Sequence, residues 1–178
     1  MRNIKLIAID EMTMARARNG DMSAWNTIYK CCEKPMYSLA LRMVGNASTA
    51  EDMVQDSFIK IMAKIDQYRG ESPFWAWIRR ILSNHCISFL RKNSRWQQQD
   101  EAQMEQIIDQ LATKTEFGLE RDMSKLLNRL PEQAQTVVYL YVVEGMTHIE
   151  IAEMFGQTKS FSKSLVSRSL KSLRGWMK

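Results

Sequence analysis

The chain of 178 residues is 45% hydrophobic and 25% charged, which is typical of a globular protein with a buried core and excludes a fibrous or disordered chain. A formal net charge of +5 favours a polyanionic partner such as nucleic acid. The three cysteines form neither a metal-ligand spacing nor an even-numbered disulfide framework, and no apolar run reaches membrane-spanning length, so we expect a cytoplasmic protein with reduced thiols and no membrane insertion.

The first part of the chain shows helical periodicity. We predict a short helix over residues 12–19, a second over 23–33 and, after a break at Pro35, a third from Met36 to a stop signal at Gly45 and Asn46. No alternating strand pattern occurs here or later in the chain. The sequence therefore predicts an all-α protein.

Residues 48–65 predict an amphipathic helix with an acidic surface. Ser48 and Glu51 have the spacing of a capping box, which places the start of this helix at Ser48. The face expected to be buried consists of Ala50, Met53, Val54, Phe58, Ile61 and Ile65. The opposite face, here called the acidic face, consists of Glu51, Asp52, Gln55 and Asp56. Either this face docks on a partner protein, or the helix dipole stabilises its first two carboxylates while Asp56 pairs with Lys60.

Residues 68–92 combine a turn with a helix rich in aromatic and basic side chains. Gly70 permits the turn, Ser72 can cap a helix, and Pro73 suits the first helical position. The helix carries more aromatic surface than one buried stripe needs. Because aromatic rings stack on unpaired bases while arginines bind phosphates, the pattern favours binding of single-stranded DNA. Trp75 fits either stacking or buried packing.

Residues 96–118 differ in composition from the blocks on either side. They contain 1 basic and 5 acidic residues, whereas residues 1–95 contain 15 and 9, and residues 119–178 contain 9 and 6. The segment is also rich in glutamine. We interpret it as an acidic, flexible linker between two basic domains.

The last block predicts four helices, over residues 119–129, 132–144, 147–155 and 160–176. Pro131 precedes the second helix, Gly145 follows it, and Thr147 and Glu150 form a further capping box. The last two helices have the lengths and the connecting turn of a helix-turn-helix, whose second helix enters the major groove of DNA.

Several of these motifs resemble the sigma-70 family of bacterial RNA polymerase sigma factors. Residues 50–58, AEDMVQDSF, resemble its region 2.2, and residues 68–74, YRGESPF, residues 77–81, WIRRI, and Asn84 resemble the promoter-opening part of the extracytoplasmic-function (ECF) group. Residues 130–133, LPEQ, 144–147, EGMT, 150–153, EIAE, and 163–164, KS, resemble region 4. The resemblance implies a region 2 domain over 10–95, a linker over 96–118 and a region 4 domain over 119–178.

The resemblance also implies roles for particular residues. The acidic face, Glu51, Asp52, Gln55 and Asp56, would dock on the clamp-helix coiled coil of the largest polymerase subunit. Bases of the minus-ten element would be held by Tyr68, Gly70, Glu71, Ser72 and Asn84, with its backbone near Arg79, Arg80, Arg91 and Lys92. The minus-thirty-five element would face Lys163, Ser164, Ser167 and Arg168, with Lys171 on phosphates.

Four residues depart from the family pattern, and the departure at Ser88 leaves the base preference open. Trp75 stands where a smaller or polar residue is usual, and Ser88 stands where aspartate is common. Ser160 replaces a usual glycine. Leu165 replaces a usual arginine, which removes one expected phosphate contact.

The linker has two possible roles. In the same family the corresponding linker threads the polymerase near the template strand, and the alternative is a solvated tether.

The implied function is that of an alternative sigma factor that binds core RNA polymerase and opens promoter DNA. We expect no enzymatic activity, no cofactor and no metal, and an anti-sigma protein as a further partner. The main alternative is a helix-turn-helix regulator that binds duplex DNA unaided. Two weaker alternatives are a nuclease centred on Glu51, Asp52, Asp56 and His85, and a metal site formed by Cys31, Cys32, His85 and Cys86.

Overall fold

A computed structural model describes residues 9–93 and 123–176, and these residues are helical with no strand. The chain divides into two compact units, Met1–Lys92 and Asn93–Lys178. The first contains α1 (Glu11–Arg18), α2 (Met22–Val44), α3 (Ala47–Ala63), a 3-10 turn (Ile65–Gln67) and α4 (Phe74–Lys92). The second contains α5 (Met123–Leu127), α6 (Glu132–Val142), α7 (His148–Phe155) and α8 (Lys159–Trp176). The predicted all-α class with two helical domains is confirmed, and the predicted linker lies outside the described residues.

The core of the first unit lies where α2, α3 and α4 pack against one another. All six residues predicted for the buried face of α3 and the following turn are buried, and Ser57 joins them. Phe58 is central to this packing because its ring meets Trp25 and Tyr29 of α2 edge-on, at centroid distances of 5.8 and 4.9 Å. α3 is therefore held in one rotation about its axis, with the acidic face outward.

One continuous helix, α2, replaces the two helices predicted on either side of Pro35. It ends at Gly45, whose left-handed backbone (φ 71°) lets its N–H bond the Leu41 carbonyl at 2.9 Å. The predicted break is wrong because Ile28, Cys32 and Met36 continue one buried stripe across the proline. Burial of that stripe outweighs the roughly 3 kcal/mol that an internal proline costs a helix.

The start of α3 also differs from the prediction. Asn46, not Ser48, is the N-cap, and its side chain accepts a hydrogen bond from the Thr49 N–H at 2.9 Å. Ser48 is exposed in the first turn of the helix. Asparagine caps as well as serine does, and the extended backbone of Asn46 directly after Gly45 puts it in the capping position first.

The second unit packs α6, α7 and α8 around an apolar centre. The predicted capping box is confirmed, since the Glu150 N–H donates to Thr147 Oγ1 at 3.2 Å and the Thr147 N–H donates to Glu150 Oε2 at 2.7 Å. Gly156 ends α7 with a left-handed backbone (φ 58°) and turns the chain into α8. The predicted helix-turn-helix is present, with α8 starting at Lys159, one residue earlier than predicted.

The predicted helix over 119–129 is described only from Met123, where α5 runs to Leu127. α6 ends at Val142, two residues before the predicted end. Among the described residues no helix is long and apolar enough to cross a bilayer.

Candidate functional site

The acidic face stands entirely at the surface of the first unit. Glu51, Asp52, Gln55 and Asp56 are all exposed, on the side of α3 opposite its buried stripe. Ile59 continues the same side and is 65% exposed, which is unusual for a large aliphatic side chain. The sequence pattern could have identified Ile59 as an exposed residue, because Ile59 falls outside the three- and four-residue spacing of the buried residues.

Asp56 is linked to α4 through His85. His85 Nε2 lies 3.9 Å from Asp56 Oδ2, and His85 Nδ1 lies 3.1 Å from Ser57 Oγ. The contact that the structure gives Asp56 is thus with His85 and not with Lys60, and it becomes an ion pair only when the His85 ring is protonated. Burial of the ring lowers the pKa of His85, and the charge of Lys60 lowers it further, while Asp56 opposes both. Asp56 is 59% exposed, so solvent screens its attraction.

The loop before α4 is closed by its own residues. The Tyr68 hydroxyl donates to the Ser72 carbonyl at 2.7 Å, and Gly70 adopts a left-handed backbone (φ 77°) between them. Arg18 of α1 donates to the Tyr68 carbonyl at 2.6 Å. The turn predicted at Gly70 is therefore present, and the loop presents Gly70, Glu71 and Ser72 to solvent. Arg18 lies 50 residues before Tyr68 in the sequence, so no local sequence pattern indicates this hydrogen bond.

The aromatic residues of α4 divide between core and surface. Phe74 and Trp75 are each only 5% exposed, which settles the open question on Trp75 in favour of packing. Trp77 and Tyr68 are half-buried and, with Phe74, form a cluster with ring centroids 5.1 to 5.8 Å apart. The exposed aromatic surface of α4 is smaller than the sequence predicted. α4 contacts both α2 and α3, so two of its sides are buried.

The basic and polar residues predicted on α4 differ in accessibility. Arg80, Asn84, Arg91 and Lys92 are exposed, whereas Arg79 is only 9% exposed. Ser88, one of the departures from the family pattern, is exposed on the same helix. These four residues form a solvent-exposed row on α4, and Arg79 contributes little to its surface.

In the second unit, the predicted recognition residues share one side of α8. Lys163, Ser167 and Lys171 are exposed, and Ser164 and Arg168 are half-buried, with Arg168 Nε donating to Ser164 Oγ at 3.4 Å. The opposite side is core and includes Phe161, Leu165 and Val166. Leu165 is only 2% exposed, so its side chain packs into the core of the second unit.

His148 joins the helices of the second unit and was not predicted. Its Nδ1 lies 3.0 Å from Ser162 Oγ of α8, and its ring stacks on Tyr141 at a centroid distance of 4.3 Å. Burial lowers the pKa of His148, and Lys163 and Lys159 lower it further. The histidine fixes the start of α7 against α6 and α8, and so helps to position the recognition helix.

The cysteines lie mostly in the core. Cys32 and Cys86 are buried, and burial raises the pKa of each thiol to about 12, while Cys31 is exposed. Across residues 9–93 and 123–176 the structure brings no three His, Cys, Asp or Glu side chains together in a group that could hold a metal ion. Neither the metal site nor the nuclease centre considered from the sequence has its ligands assembled in this part of the chain.

Two family models match the chain, and both belong to one family. Sigma-70 region 2 matches residues 28–95, and Sigma-70, region 4 matches residues 120–173. Similar proteins include the ECF RNA polymerase sigma-E factor of Haemophilus influenzae, 28% identical over 162 residues that cover 82% of each chain. The RNA polymerase sigma factor SigV of Bacillus subtilis is 28% identical over 142 residues, 80% of this chain and 84% of that one.

Solved structures share the fold. CnrH, in complex with the cytosolic domain of CnrY, aligns with a TM-score of 0.57 and 20% identity over 93% of this chain and 94% of that one. The sigma factor RpoE from Bartonella quintana, in complex with the anti-sigma factor NepR, aligns with a TM-score of 0.57 and 23% identity over 85% and 95%.

The lowered pKa of His85 predicts a pH-dependent stability. The unfolded histidine takes up a proton near pH 6.5, whereas the folded one resists it. The stability that the neutral ring contributes to the folded state is therefore fully present above about pH 6.5. It is lost as the pH falls through the pKa of the folded histidine. In urea denaturation from about pH 8 to about pH 5, we expect His85→Gln to lose less stability on acidification than the parent chain.

His148→Gln is the parallel test in the other unit, because the pKa of His148 is lowered by burial as well and its removal is expected to change the pH dependence in the same direction. Equal loss of stability on acidification in the parent and in His85→Gln would contradict the assignment.

Proposed function

Because this chain belongs to the ECF group of the sigma-70 family of RNA polymerase sigma factors, we propose that its two helical units divide promoter recognition between them. The first unit would bind core polymerase and open DNA, and the second would bind the minus-thirty-five element. The observation that carries this proposal is that the two family regions, matched in the order 28–95 and 120–173, fall on the two units. The matching regions and relatives support an alternative ECF sigma factor over a stand-alone helix-turn-helix regulator.

We propose that the boundaries of the two domains and of the linker are those that the sequence motifs indicate. Residues 10–95 would form the region 2 domain, 96–118 the acidic linker and 119–178 the region 4 domain. A regulator that binds duplex DNA unaided would have no use for the acidic face, whereas a sigma factor requires such a surface for its polymerase.

Polymerase binding is assigned to the acidic face. Its four side chains, Glu51, Asp52, Gln55 and Asp56, are exposed over two consecutive turns, while the buried stripe on the other side of α3 keeps them from rotating inward. A rigid cluster of negative charge attracts a basic partner surface and steers its approach. The clamp helices of the largest polymerase subunit are the partner that the family implies.

Promoter opening is assigned to the loop before α4 and to the exposed row on α4. Separating the strands costs about 1.4 kcal/mol for each base-pair step. Capturing a flipped base by stacking and hydrogen bonding returns about 1 to 3 kcal/mol per base, so two or three captured bases stabilise a short bubble without hydrolysis. Tyr68, the exposed loop Gly70, Glu71 and Ser72, and Asn84 would hold these bases.

Phosphates beside the captured bases would meet Arg80, Arg91 and Lys92. Arg79 belongs to the same set by its motif, but its burial makes it the member with the least surface to offer. The second unit would place α8 in the major groove, where Lys163, Ser164, Ser167 and Arg168 face base edges and Lys171 faces a phosphate.

The partners and the location follow from this function. In the structures that this chain resembles, CnrH is bound to the cytosolic domain of CnrY and RpoE is bound to NepR, which is named as an anti-sigma factor. We propose that an anti-sigma protein likewise regulates this chain. The proposed work needs core polymerase and chromosomal DNA, which places it in the cytoplasm, and it needs no catalytic activity, cofactor or metal of the chain's own.

Charge reversal of the acidic face tests polymerase binding. We expect Asp52→Lys combined with Asp56→Lys to weaken binding of core polymerase at least about tenfold, since like charges then face each other across the interface. Affinity is measured by fluorescence anisotropy of the labelled full-length chain with core polymerase.

The control for that experiment combines Glu11→Lys with Glu33→Lys, which makes the same change in net charge at exposed positions on α1 and α2. Circular dichroism verifies that both double variants are folded. Unchanged affinity in the Asp52 and Asp56 variant, or equal weakening in the control, would contradict docking through the acidic face.

Substitution on α8 tests recognition of the minus-thirty-five element. Loss of a base contact costs about 1 to 3 kcal/mol of discrimination, so Arg168→Ala is expected to reduce the preference for the correct element over a mutated one by about 5- to 150-fold. Competitive transcription from two templates measures this ratio. Lys171→Ala is the matched comparison, since losing a phosphate contact weakens both templates equally. An unchanged ratio in Arg168→Ala would remove Arg168 from base recognition.

A further inference from the structure

A groove between α3 and α4 contains two lysines to which the family resemblance gives no role. Its volume is about 740 Å³, which falls in the range of small-molecule sites and accommodates a nucleotide. Lys60 of α3 and Lys64, the residue directly after α3, line one wall, and Ile81, Asn84 and Phe89 line the groove from α4. Asn84 is the residue proposed to hold a base of the opened strand.

Charge changes sign along the α3 wall of this groove. Asp52, Asp56, Lys60 and Lys64 follow one another at four-residue spacing, so they form one row along the helix, and all four line the groove. The first half of the row belongs to the acidic face, and the second half is cationic. The α3 wall alone therefore repels a polyanion from its first half and attracts it to its second half, and Lys92 of α4 adds a further positive charge to the lining of the groove.

The cationic half lies at the end of the groove where opened DNA is proposed to bind. Residues 64–73 connect α3 directly to α4, and the middles of the two helices meet where Ser57 Oγ contacts His85 Nδ1. Helices connected and packed in this way run antiparallel. The end of α3, with Lys60 in its last turn and Lys64 directly after it, therefore lies beside the loop from Tyr68 to Ser72 and the first half of α4.

Both lysines are exposed and available. Asp56, the carboxylate four residues before Lys60, has its Oδ2 atom 3.9 Å from His85 Nε2. Within residues 9–93, the structure places no carboxylate at ion-pair distance from either ammonium group. A lysine carries three donors on a flexible stem and can follow a phosphate over several ångströms, which suits a mobile single strand.

We propose that Lys60 and Lys64 bind phosphates of the non-template strand, next to the base held by Asn84. This rests on the proposed function, because it requires a sigma factor that captures an opened strand. It extends the DNA surface from α4 and its preceding loop onto α3, so that the strand lies in the groove between the two helices.

Salt dependence of strand binding tests this proposal. Holoenzyme is assembled from core polymerase and the full-length chain, and it is titrated onto a fluorescein-labelled non-template strand from a promoter located by its transcript start. Each phosphate contact contributes about 0.7 to the slope of log affinity against log salt on a single strand. Combining Lys60→Gln with Lys64→Gln should therefore lower the slope by about 1.4.

The matched control combines Lys30→Gln with Lys34→Gln, which removes two exposed positive charges from α2 outside the groove. An unchanged slope in this control, together with the lowered slope in the groove variant, supports the proposal. Equal slopes for the groove variant and the parent would overturn it while leaving the proposed function intact.

Two further outcomes are distinguishable. If the groove variant loses affinity for core polymerase itself, Lys60 and Lys64 belong to the protein interface and the strand proposal is wrong. If the parent holoenzyme does not bind the strand, the proposed function fails and this inference fails with it.

Discussion

Burial of one side of α3 is the constraint on which the candidate interfaces of the first unit depend. Met53, Val54, Phe58 and Ile61 are enclosed by α2 and α4, and each such side chain contributes about 1.5 to 3 kcal/mol when fully buried. An exposed carboxylate near the start of the helix gains only about 0.3 to 1 kcal/mol from the dipole. Apolar packing therefore decides the rotation of α3, and the acidic face points outward as a consequence.

The same constraint places two opposite chemistries on one helix. Because the rotation of α3 is fixed, residues four apart form an inclined row on one side of it, and that row is acidic at Asp52 and Asp56 and basic at Lys60 and Lys64. α4 packs beside it and supplies Asn84 and an exposed basic row. One pair of helices can thus offer one surface to a basic protein and another to a polyanionic strand, with His85 bridging the helices between them.

Local patterns in the sequence were sufficient for most of the fold. The buried stripe of α3, the stop at Gly45 and the capping box of Thr147 and Glu150 each depend on residues within one or two turns, and each is present. The prediction failed where distant packing competes with a local rule. Pro35 does not break α2 because a buried stripe spans it, and Ser48 does not cap α3 because Asn46 reaches the capping position first.

The candidate sites were predictable as sets of residues but not as surfaces. Exposure of the acidic face followed from periodicity, whereas the burial of Trp75 and Arg79 depends on α4 contacting two helices at once. The link from Arg18 to the Tyr68 carbonyl and the contact of His85 with Ser57 join residues far apart in sequence, and no spacing rule indicates them. The groove itself exists only because two helices lie side by side.

Genomic run-off transcription with core polymerase, performed with and without this protein, tests the central claim most directly. A sigma factor of this kind is expected to produce discrete new transcript starts, each preceded by two conserved sequence blocks at a constant spacing. Absence of new starts, with the protein binding duplex DNA on its own, would contradict the account and favour a helix-turn-helix regulator.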